Sequence, residues 1–378
     1  MKYVVVGGGI AGVNCAMGIL RLDNSDKTRV TLISATDHIK TISNWYKIGQ
    51  FTEFFDVNQE AGTSITDDVR FQFKLGEVVR WSEKTLNLRS GETVNYDKLC
   101  IATGARAISP WQNVLTLRDT DSAVTLQDRL RTAHHVAIVG NGGIGMELAY
   151  ELTCKISWLI RDDHIGAKFF PKSVEPFLLE HFLRGRASGS KTEGVQKRLK
   201  YTSDDVTGAA LGPDWSTAVN LRHGYDRELN ILYNSTVNDV SQEANGSFCI
   251  TYNHDEKLQC DLVIWAAGVT PNSDPWRSMV ATTSDGEIEV DDVMRTSVPG
   301  VFACGDVSRI RTSNDRQLWK QMRLWTQARQ QGDVCAHSMV YGEEARDTHM
   351  YFDLFTHCTT FFGMKRNMRP ILNGARGK

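Results

Sequence analysis

Two stretches of this chain carry the same turn. Residues 4–16 read VVVGGGIAGVNCA, and residues 136–149 read VAIVGNGGIGMELA. In each, an apolar run that reads as a buried parallel strand ends on the first glycine of a G-x-G-x-x-G spacing, and a helix-compatible segment follows. The glycines are Gly7, Gly9 and Gly12 in the first copy and Gly140, Gly142 and Gly145 in the second. The first permits a tight turn, the second lets the backbone approach a pyrophosphate, and the third lets the helix pack on its strand. Phosphate oxygens then meet a helix N-terminus. One such match is compatible with a glycine-rich turn that binds nothing; two in register are a far stronger signal. They predict an α/β chain built on two doubly wound, Rossmann-like dinucleotide-binding domains.

At 378 residues the chain exceeds the usual size of one hydrophobic core, so two domains or an interrupted domain are expected. Hydrophobic residues make up 41% and charged residues 23%, and no apolar run is long enough to span a membrane. A net charge of -2 argues against wholesale nucleic-acid binding, so neither a membrane nor a direct nucleic-acid partner is expected. The start MKYVVVGGG enters a strand at once and leaves no room for a secretory signal, which predicts an intracellular address. The cysteines (Cys15, Cys100, Cys154, Cys249, Cys260, Cys304, Cys335 and Cys358) stand too far apart in sequence for a metal knuckle or a CxxC pair. Cys100 and Cys304, inside apolar runs, read as small buried hydrophobes.

Two cradles imply two dinucleotides, and the economical pairing is FAD on one and NAD(P)H on the other, with a hydride passing between them. YDKLCIATGA (96–105) and CDLVIWAAGVTPN (260–272) are apolar strands that end in small-residue turns where the chain crosses between domains, at Ala102, Thr103 and Gly104 and at Gly268. TSVPGVFACGDV (296–307) ends at Gly305 and Asp306. That aspartate can accept hydrogen bonds from a ribityl hydroxyl, and it could equally cap a helix. The predicted layout is a first FAD-binding part over 1–122, an NAD(P)-binding domain over 123–258 and a second FAD-binding part over 259–345. An excursion inserted at 184–226, rich in Gly, Ser, Thr and charge, reads as a solvated loop. Its basic run from Arg184 to Lys200 also fits a nuclear-import signal or a partner contact.

The order GxGxxG, ATG, GxGxxGxE, a second ATG-like turn and GD, over residues 4–307, resembles the class I pyridine nucleotide-disulfide oxidoreductases. The resemblance implies cofactor contacts at Gly7, Gly9, Ile10, Ala11, Gly12, Val79, Ala102, Thr103, Gly104, Arg118, Gly140, Gly142, Gly143, Ile144, Gly268, Gly305 and Asp306. Family members normally carry an acid for the adenine ribose at the end of the second strand; here VTLISATD puts Ser34 there, and ISWLIRDD puts Ile160 and then Arg161 in the second copy. Arg161 suits a 2′-phosphate whereas Asp162 repels one, so both NADH and NADPH are expected to serve.

In disulfide reductases of this family a cysteine pair in the first domain takes electrons from the flavin, three residues before a lysine. If Lys47 of DHIKTISNWYKIGQ (37–50) is that lysine, the pair falls at Ile39 and Asn44, neither of them a thiol, and the alternative CxxC of the nicotinamide domain is also absent. The resemblance pairs Lys47 with Glu147 beside the flavin as the catalytic couple, with Lys40 as the fallback position. It also places the start of RQLWKQMRLWTQARQQG (316–332) under the flavin, implying contacts from Gln321 and Met322, while Trp325 reads as core. FDLFTHCTTFFG (352–363) looks like the entry to the family's C-terminal α+β domain, and MKRNMRPILNGARGK then departs from the family without strand alternation. Residues 346–378 are therefore expected to hold a truncated start of that domain and a divergent tail, which puts the family's usual dimer in question.

These readings converge on an FAD-dependent NAD(P)H oxidoreductase that lacks the redox-active disulfide. The resemblance implies a role in redox protection in cytoplasm and nucleus, with the tRNA ligase complex as the partner shielded from oxidation. A redox-responsive flavoprotein binding module with little turnover, and a flavin monooxygenase, are alternatives that the residues leave open.

Overall fold

The computed structural model describes residues 1–48, 52–117, 120–185, 201–203, 206–209, 212–213, 227–311, 323–342, 357–361 and 364–368. The Val- and Ile-rich runs are buried on both faces, as parallel strands covered by helices must be. The strand Lys2–Val6 is central in a parallel sheet ordered Val301–Ala303, Lys98–Ile101, Lys2–Val6, Arg29–Ser34, Phe71–Leu75. A second parallel sheet repeats the plan with Leu115–Thr116, Leu262–Trp265, His135–Val139, Lys155–Leu159 and Glu228–Leu232. In both, the glycine turn leaves the central strand at its C-terminal end, where the strand order reverses. Open α/β sheets bind ligands at that point.

The duplication reaches beyond the turn. Between its third strand and its return strand each unit inserts a three-stranded antiparallel meander. These are Val78–Ser82, Thr85–Leu88 and Thr93–Asn95 in the first unit, and Val237–Gln242, Phe248–Tyr252 and Glu256–Cys260 in the second. The helix Ile10–Leu22 lies between the first sheet and the long helix Trp325–Tyr341, close enough that a Cβ on Gly18 would stand 2.7 Å from that of Ala336. Val5, Ile19, Leu32 and Leu99 in this core, and Ile138, Ile156, Trp158 and Leu178 in the second, are fully shielded. Each such side chain stabilises its unit by about 1.5–3 kcal/mol.

Four expectations need correction. The second sheet recruits Leu115–Thr116 and Leu262–Trp265, because a buried parallel strand needs a neighbour on both sides, so 123–258 is too short at each end. Within the 184–226 excursion, Tyr201–Ser203, Val206–Ala209 and Gly212–Pro213 are paired strands instead of loop, and the first runs parallel to Thr52–Ala61 of a long hairpin with His38–Ile48. Their Tyr, Thr and Val residues favour that pleated arrangement; residues 186–200 lie outside the described residues. The helix expected over 316–332 is interrupted before Trp325, where Arg323 has a left-handed φ of 55° and Leu324 is extended; residues 316–322 lie outside the described residues. Finally, Met364–Met368, expected to lack strand, pairs with His357–Phe361, whose threonines and phenylalanine carry the β preference.

Candidate functional site

The two glycine turns match residue for residue. Gly7 has φ +129°, and a Cβ there would fall 2.1 Å from the Ala102 carbonyl oxygen; a Cβ on Gly12 would fall 2.0 Å from the Gly7 oxygen. In the second unit Gly140 has φ +126° and stands in the same relation to the Ala266 oxygen, at 2.4 Å, as does Gly145 to the Gly140 oxygen, at 2.4 Å. The protein's own backbone therefore demands the first and third glycines. The middle glycines meet no such demand: a Cβ on Gly9 or Gly143 has no atom within 4 Å, and one on Gly142 would be 3.8 Å from its nearest neighbour. These positions face open space in front of the helices Ile10–Leu22 and Gly143–Glu151. Their N-caps, Gly9 and Gly142, carry no side chain and so make no capping bond at the anion-attracting end of either helix. A cradle that a single added carbon would obstruct fits a dinucleotide pyrophosphate at both places.

Around the first turn, Gly305 packs on Ala11, and its amide donates to the buried Gln331 Oε1 at 2.7 Å. This sets the partly buried Asp306 beside the start of the first helix. Ile10 is buried with Phe55 and Val57, and Ile42 and a partly buried Trp325 pack on them, which puts Trp325 at the edge of a core cluster and makes this flank of the turn apolar. Ser34 lies at the end of its strand beneath Gly8, 4% exposed, and its hydroxyl accepts the Thr36 amide at 3.3 Å. The Lys40 amide donates to the Gly8 oxygen at 2.8 Å, and the Gly76 amide to the Ser34 oxygen at 2.7 Å, leading the chain to Val79, whose side chain is exposed. Lys47 is described by its backbone alone, paired with Glu53 across the hairpin. Arg118, Gln321 and Met322 lie outside the described residues.

The second turn is held by residues that pattern reading passed over. Asn141, 9% exposed, donates from Nδ2 to Asp162 Oδ2 at 2.8 Å and to the His164 oxygen at 2.9 Å, while its Oδ1 accepts the Gly166 amide at 2.6 Å. The Asp162 carboxylate is thereby held by Asn141. Arg161 is exposed at the strand end beside fully buried Ile160. Glu147 and Ile144 are partly buried on the following helix. Trp158 Nε1 donates to the Gly140 oxygen at 2.8 Å. Trp158→Phe deletes that bond and leaves part of a fully buried indole's volume unfilled. It is expected to cost about 2–4 kcal/mol of stability, read as a fall in denaturation midpoint.

The crossovers lock the two cradles together. Ala105–Arg106 pairs antiparallel with Thr270–Pro271. Thr103 Oγ1 donates to the Asn272 oxygen at 2.7 Å, and Asn272 Nδ2 donates back to the Thr103 oxygen at 2.9 Å. The Asn272 amide reaches the oxygen of Gly104, while Gly268 (φ +118°) leads into this ribbon from the other side. Asn272 left no trace in the motif pattern beyond following a proline. No cysteine occurs between residues 16 and 99, the stretch beside the first cradle where the family's exchanging pair would lie. In the second unit, burial pushes the Cys154 thiol up to about 11 and that of Cys260 up to about 12, so neither is a ready nucleophile.

Residues 1–332 match the family described as pyridine nucleotide-disulphide oxidoreductase. Pyridine nucleotide-disulfide oxidoreductase domain-containing protein 1 of Drosophila melanogaster is 34% identical over 99% of this chain and 84% of its own length. The Homo sapiens protein of the same name is 32% identical over 96% of this chain and 81% of its own. Among solved structures, the water-forming NADH oxidase from Lactobacillus brevis bound to NADH has a TM-score of 0.65 at 20% identity, covering 90% of this chain and 69% of that one. Reduced Bacillus anthracis CoADR-RHD reaches 0.68 at 19% identity, covering 96% and 60%.

Proposed function

The chain belongs to the pyridine nucleotide-disulphide oxidoreductase family, and from that premise we infer that it is an FAD-dependent NAD(P)H oxidoreductase that works without a redox-active disulfide. The observation that carries this is the pairing of two open glycine cradles, Gly9 and Gly142, on units joined by the Thr103–Asn272 contact, with no cysteine between residues 16 and 99. When bound, the nicotinamide supplies a hydride, and the flavin accepts it and hands the electrons on. The chain's part is positional. The uncapped helix ends would hold the pyrophosphates, Asp306 would accept a hydrogen bond from a ribityl hydroxyl, and Asn141 keeps the second turn closed. The apolar flank of Ile10, Phe55 and Val57 borders the first turn. With no cysteine between residues 16 and 99, an acceptor that needs thiol exchange is disfavoured, and one that takes electrons directly from the flavin is favoured.

A Lys47–Glu147 couple completes this reading. Lys47→Met is expected to slow flavin reduction by NAD(P)H at least about tenfold, a loss of roughly 1.4 kcal/mol in transition-state stabilisation. An unchanged rate removes Lys47 from the machinery. For the nucleotide, the exposed Arg161 and the tied-back Asp162 support acceptance of both NADH and NADPH. Flavin-reduction kinetics with each should differ by less than about a hundredfold, near 2.7 kcal/mol, and a larger preference defeats this. Protection of the tRNA ligase complex, in cytoplasm and nucleus, extends the same reading on the strength of the resemblance. It is tested by whether the loaded flavoprotein with NAD(P)H preserves ligase activity under oxidant, and it fails if the nucleotide makes no difference.

A further inference from the structure

Four cysteines scattered in sequence meet in the first core. Cys15 comes from the helix Ile10–Leu22, Cys100 from the strand Lys98–Ile101, Cys304 from the residue after Val301–Ala303, and Cys335 from the helix Trp325–Tyr341; all four have no exposed surface. Cys100 Sγ lies 3.5 Å from Cys304 Sγ and 3.5 Å from Cys335 Sγ. The sulfurs of Cys15, Cys100 and Cys335 all lie within 4.8 Å of one another, and the Met339 thioether is 3.7 Å from Cys15 Sγ. None of these side chains takes part in the glycine turns, the crossover or the Asn141 network.

Geometry separates the uses such a cluster could have. A disulfide needs its sulfurs about 2.05 Å apart, so any pair here would have to close by more than an ångström inside a packed core. Three sulfurs bound to one ion at about 2.3 Å stand about 4.0 Å apart when the site is planar, a spacing that the distances above bracket. The compact set holds three thiols, with Cys304 in contact with Cys100 and the thioether beside Cys15. Sulfur ligands of this kind select soft ions, and a three-sulfur set falls one short of the four that structural zinc takes. Lys98 Nζ donates to the Met339 oxygen, which brings one cation to the edge of the cluster.

We propose that Cys15, Cys100 and Cys335 form a buried three-thiolate site for a single Cu(I) ion, flanked by Met339 and Cys304. Each ligating thiol releases its proton to solvent on binding, and no electron is transferred. The ion would staple the first helix, the return strand and the last helix behind the first cradle. With no exposed sulfur, it enters during folding or by local opening.

The test uses the flavin-loaded full chain, produced with copper supplementation and purified without oxygen. Copper near one equivalent per chain is expected, with an X-ray absorption spectrum that shows sulfur-only ligation. A Cys15→Ala/Cys335→Ala variant should lose the copper while keeping its flavin bands. If that variant does not fold, the spectrum of the unmodified protein decides alone. Copper absent both after supplementation and after refolding with Cu(I), retained in the double variant, or held by nitrogen or oxygen overturns the site. Zinc at full occupancy in its place overturns the assignment to a monovalent ion.

Discussion

Gly9→Asp is expected to give a folded, colourless protein. Asp is at least as good an N-cap as Gly, so the helix Ile10–Leu22 gains a few tenths of a kcal/mol where its cap now makes no side-chain bond. A Cβ at residue 9 meets no protein atom within 4 Å, and the apo protein should melt no lower than the apo parent. The new carboxylate nevertheless stands where the pyrophosphate must lie. Two like charges about 4 Å apart at an effective dielectric near 20 repel by about 4 kcal/mol. FAD affinity, measured by reconstitution of the apo protein, should therefore fall by about a hundredfold or more. An intact yellow protein of unchanged affinity would remove the first cradle from flavin binding. Gly12→Ala is the control with opposite behaviour, because its Cβ would lie 2.0 Å from the Gly7 oxygen and must strain the backbone whether or not FAD is present.

Gly142→Asp should produce the complementary defect. Its Cβ also points into open space, 3.8 Å from the nearest atom, and its helix also lacks a side-chain cap. The variant should bind FAD as the parent does and keep its colour, while the concentration of NADPH or NADH needed for half-maximal flavin bleaching rises about a hundredfold or more, by the same repulsion. The pair of variants separates the two pockets: one loses the flavin, the other only its reductant. If both lost FAD together, the two turns would be acting as one structural unit and not as two binding sites.

How far these outcomes could be foreseen depends on the range of the forces involved. The glycine turns were legible because the clashes that enforce Gly7, Gly12, Gly140 and Gly145 lie within a strand–turn–helix, so they write themselves as a local spacing. The crossover strands were legible for a similar reason, since burial on both faces makes LCIA and LVIWA continuously apolar. What stayed hidden was long-range. Nothing in NGG says that the Asn141 amide will reach Asp162, and nothing near residue 201 says that its strand will lie along Thr52–Ala61. The sulfur cluster is the sharpest case. Cys100 and Cys335 are 235 residues apart in the chain and 3.5 Å apart in space, a proximity created by the packing of helix on sheet. The helix boundary near Trp325 was misplaced because amphipathic spacing over 318–328 ignores the left-handed turn at Arg323.

The central claim, that two cradles bring a flavin and a nicotinamide together on this chain, is met most directly by mixing the purified, FAD-loaded protein with NADH or NADPH without oxygen and following the flavin absorbance. Saturable, single-exponential bleaching by either nucleotide is the predicted result. A protein that takes up no FAD, or one whose flavin bands persist with both nucleotides in excess, would contradict it.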